Sequence, residues 1–99
     1  MTSQAAPSLA PDDRPVLPRG VRTRFDPVRG IWVLLAPERA LKLDPVGTAI
    51  LAEIDGKRTF AEITAALAAK FDAPAAQIAR DAGAFLAGLA ERRMLEVLR

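Results

Sequence analysis

Residues 21–43 leave room for little besides three short antiparallel strands. Val21, Thr23 and Phe25 alternate with Arg22 and Arg24, a period of two that sends one set inward and the arginines outward. Asp26-Pro27-Val28-Arg29-Gly30 has the composition of a turn. Ile31-Trp32-Val33-Leu34-Leu35 is a continuous apolar run with β-branched and aromatic content, the pattern of a strand covered on most sides; Trp32 is either a contact residue or, as a lone Trp on a central strand usually is, part of the core. Pro37-Glu38 turns the chain again, and Arg39-Ala40-Leu41-Lys42-Leu43 alternates once more. Connections this short favour a meander in sequence order. The first and third strands are then edges, and the third carries two cations and little else on its outward side.

At Asp44 the period changes to that of helices. Asp44 suits an N-cap and Pro45 the first helical position, with Val46, Ile50, Leu51 and Ile54 toward the core and Asp55-Gly56 as the stop. Thr59-Phe60-Ala61-Glu62 matches a capping box, after which Phe60, Ile63, Leu67 and Phe71 recur at helical spacing. Pro74 opens a third, longer helix with the stripe Ile78, Ala82, Phe85, Leu86 and Leu89, running to Arg92 or Arg93. Met94–Val97 closes the chain in an unspecified form. Ahead of the sheet, Arg14–Gly20 reads as an extended, proline-bounded lead-in, with Val16 and Leu17 available to dock. Residues 1–13 lack bulky apolar content and read as a disordered tail, in which Asp12 and Asp13 are held by nothing. The predicted fold class is α+β: a three-stranded antiparallel meander followed by three helices, winged helix-turn-helix-like, in one domain over 14–97.

Composition narrows the function. The 99 residues include no His, Cys or Tyr. That removes the usual neutral-pH base, the thiolate nucleophile and the commonest metal ligands. No enzyme activity, metal or cofactor is expected. The net charge of +2 resides in residues 1–29, where five arginines (14, 19, 22, 24, 29) face three aspartates (12, 13, 26). Such a field can steer an acidic partner but is too weak to argue for nucleic acid. A winged-helix nucleic-acid binder is the alternative, yet the third helix begins with only Gln77 and Arg80 as readers. The start lacks a basic segment followed by an apolar run, and no stretch approaches about 18 apolar residues. The expected compartment is the cytoplasm, with no membrane partner.

Six pieces in order carry a family likeness: Arg14-Pro15-x-Leu17-x-Arg19-Gly20-Val21-Arg22; Trp32-Val33-Leu34-Leu35-Ala36-Pro37-Glu38-Arg39; Leu43-Asp44 with Ala49-Ile50-Leu51; Asp55-Gly56-x-Arg58-Thr59; Phe71-x-Ala73-Pro74; and Asp81-x-x-x-Phe85-Leu86. Over residues 14–97 the chain resembles PqqD, the small accessory family of pyrroloquinoline quinone (PQQ) biosynthesis. The resemblance implies a winged-helix recognition element for ribosomally made precursor peptides. It implies a non-catalytic chaperone that binds the precursor peptide PqqA and delivers it to PqqE, a radical S-adenosylmethionine enzyme that crosslinks a Glu and a Tyr of that peptide. In such elements the peptide adds as a strand beside the third strand, in a cleft closed by the third helix. Here that implies Arg39, Ala40, Leu41, Lys42 and Leu43 with Ile78, Asp81, Ala82, Phe85 and Leu86.

Elementary energetics constrain such a cleft. Each main-chain hydrogen bond contributes about 0.5–1.5 kcal/mol net, while ordering each guest residue costs about 1–2 kcal/mol. The two nearly cancel. Apolar anchors worth about 1.5–3 kcal/mol each must supply the surplus, and two or three bring the sum to about −8 kcal/mol, near micromolar. Leu41, Ile78 and Phe85 are the candidate lining, although a stripe at helical spacing also serves as core. Arg39 and Lys42 either pair with acidic side chains of the guest or guard the edge against aggregation. Arg19, Arg22 and Arg24, by the opposite edge, either contact the partner enzyme or are an edge guard. Strand three pairing with its own copy would make a homodimer.

Overall fold

Local signals account for most of the architecture. The computed structural model describes residues 9–98. The elements are β1 (Arg14–Val16), β2 (Arg22–Asp26), β3 (Ile31–Ala36), β4 (Arg39–Leu43), α1 (Pro45–Ala52), α2 (Phe60–Phe71), α3 (Ala75–Glu91) and β5 (Glu96–Leu98). Strands β2, β3 and β4 form the expected antiparallel meander, with β3 central. Trp32 stands opposite Phe25 and Leu43, and Leu34 opposite Thr23 and Leu41, so these share the inner face. Arg22, Arg24, Val33, Leu35, Ala40 and Lys42 share the outer one.

The helix starts follow their caps. Asp44 accepts from the N–H of Gly47 at 2.7 Å, and Pro45 sits at the first helical position, where its missing N–H costs nothing. At α2 the capping box is complete: the Glu62 carboxylate accepts from the Thr59 N–H at 2.8 Å, and the Thr59 hydroxyl accepts from the Glu62 N–H at 3.2 Å. Leu34 and Leu43 join Ile50, Leu51, Phe60, Ile63, Leu67, Leu86 and Leu89 in a single core cluster. Among the described residues no helix is long and apolar enough to cross a membrane.

Three features differ from the sequence expectation. First, the folded part begins before Arg14. Leu9 is buried, and Asp13, also buried, accepts from the Ala10 N–H at 2.8 Å, closing a turn. The carbonyls of Asp13 and Pro11 then accept from Phe60 and Ala61 at 2.7 and 2.9 Å. These are the first two N–H groups of α2, which have no partner within their own helix. Residues 1–8, the rest of the expected tail, lie outside the described residues. Second, the lead-in and closing segments pair: β1 and β5 make a two-stranded antiparallel sheet, with Arg14 opposite Leu98 and a fully buried Pro15 opposite Val97. A proline is tolerated there because each strand has one free side. Third, several residues that fit the core by pattern are open. Trp32 is 41% exposed, stacked edge-to-face on Phe25 with ring centroids 5.5 Å apart. The inner face of the sheet extends past its helical cover there. Val46 is 55% exposed and Phe71 is also open to solvent.

Candidate functional site

Among the described residues the outer margin of β4 is unpaired. Pro37 and Glu38 make a two-residue turn, Glu38 taking a positive φ of 62°, and Ala36 and Arg39 form its closing pair. A closing pair across a two-residue turn is hydrogen-bonded, and antiparallel pairing alternates. Arg39, Leu41 and Leu43 therefore bond to β3, whereas Ala40 and Lys42 turn their N–H and C=O groups away from the sheet. Among the described residues no other segment pairs with this margin.

Beside that margin lies a groove of about 450 Å³, bounded by β4, the first turn of α1 and the C-terminal half of α3. Leu41, Leu43, Val46, Ile50 and Phe85 supply its apolar lining, with Lys42, Asp44, Asp81 and Arg92 as the charged groups around it. A smaller hollow of about 170 Å³ continues it toward α2, adding Leu67, Phe71, Ile78 and Ala82. Val46, Ile50 and Asp81 line both, so the two form a single trough. Gly47 makes this shape possible: a Cβ there would stand 3.2 Å from Cζ of Phe85 and 3.1 Å from Oδ1 of Asp44. With glycine, the tip of the Phe85 ring comes close against α1 and roofs the groove.

The sequence-predicted residues do not all lie at the groove surface. Leu41 and Phe85, both half-buried, line the main groove, Ile78 lines its extension, and the exposed Asp81 stands where they meet. Ala82 at 1% exposure and Leu86 at 0% belong to the core beneath it, since an i, i+4 stripe continues inward past the surface. Leu43 is buried at the groove floor. Arg39 is exposed, but its guanidinium donates to the carbonyl of Arg92 at 2.6 Å, tying the start of β4 to the end of α3. That places a cation at a helix C-terminus, where the helix dipole favours it. Arg22 and Arg24 lie on the outer face of β2, two strands from the groove, and Arg19 is exposed in the turn before it.

Seven lining residues were not anticipated as such: Asp44, Val46, Gly47, Ile50, Leu67, Phe71 and Arg92. Val46 and Ile50 are one helical turn apart, which reads as core for both. Only the deeper of them is covered, because α1 starts immediately after β4 and its first turn projects beyond the sheet. The ion pairs found join Arg29 to Asp26 and Arg58 to Glu53 and Asp55, so among the described residues Lys42, Asp81 and Arg92 keep their charges unpaired. Among the described residues no three carboxylates converge as a metal site. This arrangement can bind an extended chain through its backbone and its apolar side chains.

Comparison with known proteins gives a consistent result. The profile of the family described as "Coenzyme PQQ synthesis protein D (PqqD)" matches residues 32–95. The PqqA binding protein of Rhizobium meliloti is 47% identical over 93 residues, covering 94% of this chain and 95% of that protein. The bifunctional coenzyme PQQ synthesis protein C/D of Methylorubrum extorquens is 45% identical over 95 residues; the match takes in 96% of this chain but 26% of that larger protein. Among solved structures, the solution structure of the PqqD truncation of Methylobacterium extorquens PqqCD, described as a functional, stand-alone recognition element for ribosomally synthesised and modified peptides, superimposes with a TM-score of 0.79 at 46% identity. It covers 92% of this chain and 97% of that one.

Proposed function

This chain belongs to the PqqD family, and from that premise we propose that it is a non-catalytic carrier that binds the precursor peptide PqqA by strand addition to β4 and presents it to PqqE. The observation that carries the reading is the coincidence of an unpaired strand margin with an apolar trough along it. The margin provides Ala40 and Lys42, each with one N–H and one C=O turned outward, as a template for a guest strand. The trough provides what main-chain bonds do not, a net surplus of free energy. Leu41, Val46, Ile78 and Phe85 are available to two or three guest side chains, and the exposure of Val46 means that its contact area is not already used in folding.

A guest on β4 also extends the outer face of the sheet. On that face its alternate side chains continue the row made by Arg24, Val33 and Lys42. A guest acid opposite Lys42 fits that row, and Arg22 and Arg24 then form, with Arg19 nearby, a cationic surface for the partner enzyme. Leu86 and Ala82 act from beneath, by holding α3 at the distance that keeps the groove open.

The test is isotope-edited NMR of the ¹⁵N-labelled protein titrated with a PqqA peptide. The expected result is amide shifts along residues 40–47 and 78–85, with the β1–β5 sheet and the outer end of α2 unaffected. Shifts that avoid β4 and α3 would refute the site.

A further inference from the structure

Resting on the reading of this groove as the peptide site, we infer that it selects its guest by charge order, taking an acidic side chain at one end and a basic one at the other. The groove is bipolar. At the start of β4, Arg39 and Arg92 are brought together by the bond from the Arg39 guanidinium to the Arg92 carbonyl. That contact uses one of the five N–H donors of Arg39 and leaves the rest for a guest. At the other end stand two carboxylates, Asp44 and Asp81, while Lys42, the remaining charge beside the groove, belongs to the outer face of the strand. Asp44 spends one oxygen on the Gly47 N–H and has the other available. Between the two ends the lining is apolar, with Leu41, Val46 and Phe85.

The lengths agree. The end of α3 is tied to the start of β4, and the eleven steps from Asp81 to Arg92 span about 16 Å at the helical rise. The five residues of β4 span about 14 Å between their ends. A five-residue guest therefore reaches from one pole to the other, and strand alternation turns its first, third and fifth side chains into the groove. The complementary guest places an acid by the arginines, an apolar side chain over Phe85 and a base by the aspartates. The reverse order sets like charges together at both poles. Because the poles are fixed with respect to β4, charge order in the guest also determines its direction and register, which the apolar middle by itself leaves unspecified.

The experiment uses two capped synthetic peptides of one composition, Lys-Thr-Leu-Thr-Glu and Glu-Thr-Leu-Thr-Lys in identical flanks, titrated into the ¹⁵N-labelled full chain. One order is expected to bind along β4 about tenfold more tightly than the other, and which one wins reports the strand direction. The preference is expected to shrink toward unity at about 0.5 M salt. It should fall toward unity in the charge-exchanged Asp81→Lys/Arg92→Glu protein, where Arg39 then faces a Glu and Asp44 a Lys and neither pole keeps a net charge, and to about threefold in Asp81→Asn. Equal affinities of the two orders with shifts along β4, or a preference that survives the charge exchange, would overturn the inference while leaving the peptide site intact. Shifts that bypass β4 for both peptides would overturn the site itself, and the inference with it.

Discussion

The meander has two open margins, β2 and β4, and the proposed function assigns the guest to β4 alone. Both are five-residue strands paired on one side to β3, and both carry cations on the outer face. They differ in what lies next to them. β4 packs on α1 as well as on β3, and its free side opens onto the trough roofed by Phe85; the chief neighbour of β2 is β3. The inner side of β2 shows Phe25, whose ring is committed to Trp32. An unpaired strand is thus not in itself a binding site. Guest hydrogen bonds and guest ordering nearly cancel at either margin, and the adjacent apolar groove decides where a peptide stays.

The largest expected effect breaks this comparison at its strongest point. Phe85→Ala removes the roof of the groove and should weaken PqqA binding by about 30-fold, equivalent to about 2 kcal/mol. The fold survives, because the ring is half-buried and the core beneath it is built on Leu86 and Leu89. Calorimetric titration beside thermal denaturation separates the two effects, and unchanged affinity would make the margins equivalent.

Ala40→Pro tests the backbone half. It deletes an N–H that faces away from β3, so strand pairing within the protein persists. Affinity should fall about tenfold, with the amide spectrum of the helices unchanged.

Arg22→Glu with Arg24→Glu addresses the other margin. PqqA affinity is expected to stay within about twofold, since exposed charges at that distance are screened, while PqqE-dependent crosslinking of carrier-bound peptide slows. A large loss of peptide affinity would assign the guest to β2.

The smallest effect lies away from both margins, in the α1–α2 loop. The backbone N–H groups of Arg58 and Lys57, each 2.9 Å from the Asp55 carboxylate, hold its pKa below the usual value, with the Arg58 charge assisting. A depressed folded-state pKa means stability present at neutral pH and lost as pH falls through the lowered value. Asp55→Ala should therefore be less stable than the parent at pH 7, with the gap closing as pH falls through the lowered pKa. Peptide affinity at pH 7 should not change, as denaturation and titration together would show.

What could be read from sequence was what short-range chemistry determines. The turns at Asp26–Gly30 and Pro37-Glu38, the Asp44 cap and the Thr59 box each depend on residues within a few positions, and the structure contains all of them. The β1–β5 sheet joins residues 80 to 84 positions apart through two three-residue strands, one with a proline in the middle. Neither strand is long enough to show a period, so only the pairing itself reveals them. Leu9 and Asp13 were hidden for a related reason: a single leucine and one aspartate look like tail until the N-terminus of α2 is seen to need their turn. In the groove, Leu41, Ile78, Asp81 and Phe85 were legible through periodicity and family likeness. Val46 and Arg92 were not, because periodicity says which residues share a face and not how far the opposing element extends over it.

Amide hydrogen exchange at Ala40 and Lys42, followed residue by residue with and without saturating PqqA peptide, addresses the open margin most directly. The expected result is fast exchange of both amides in the free protein and strong protection of both in the complex, with Leu41 protected in either state through its bond to β3. Slow exchange of Ala40 and Lys42 in the free protein, or no gain in protection when peptide is bound, would contradict strand addition at β4.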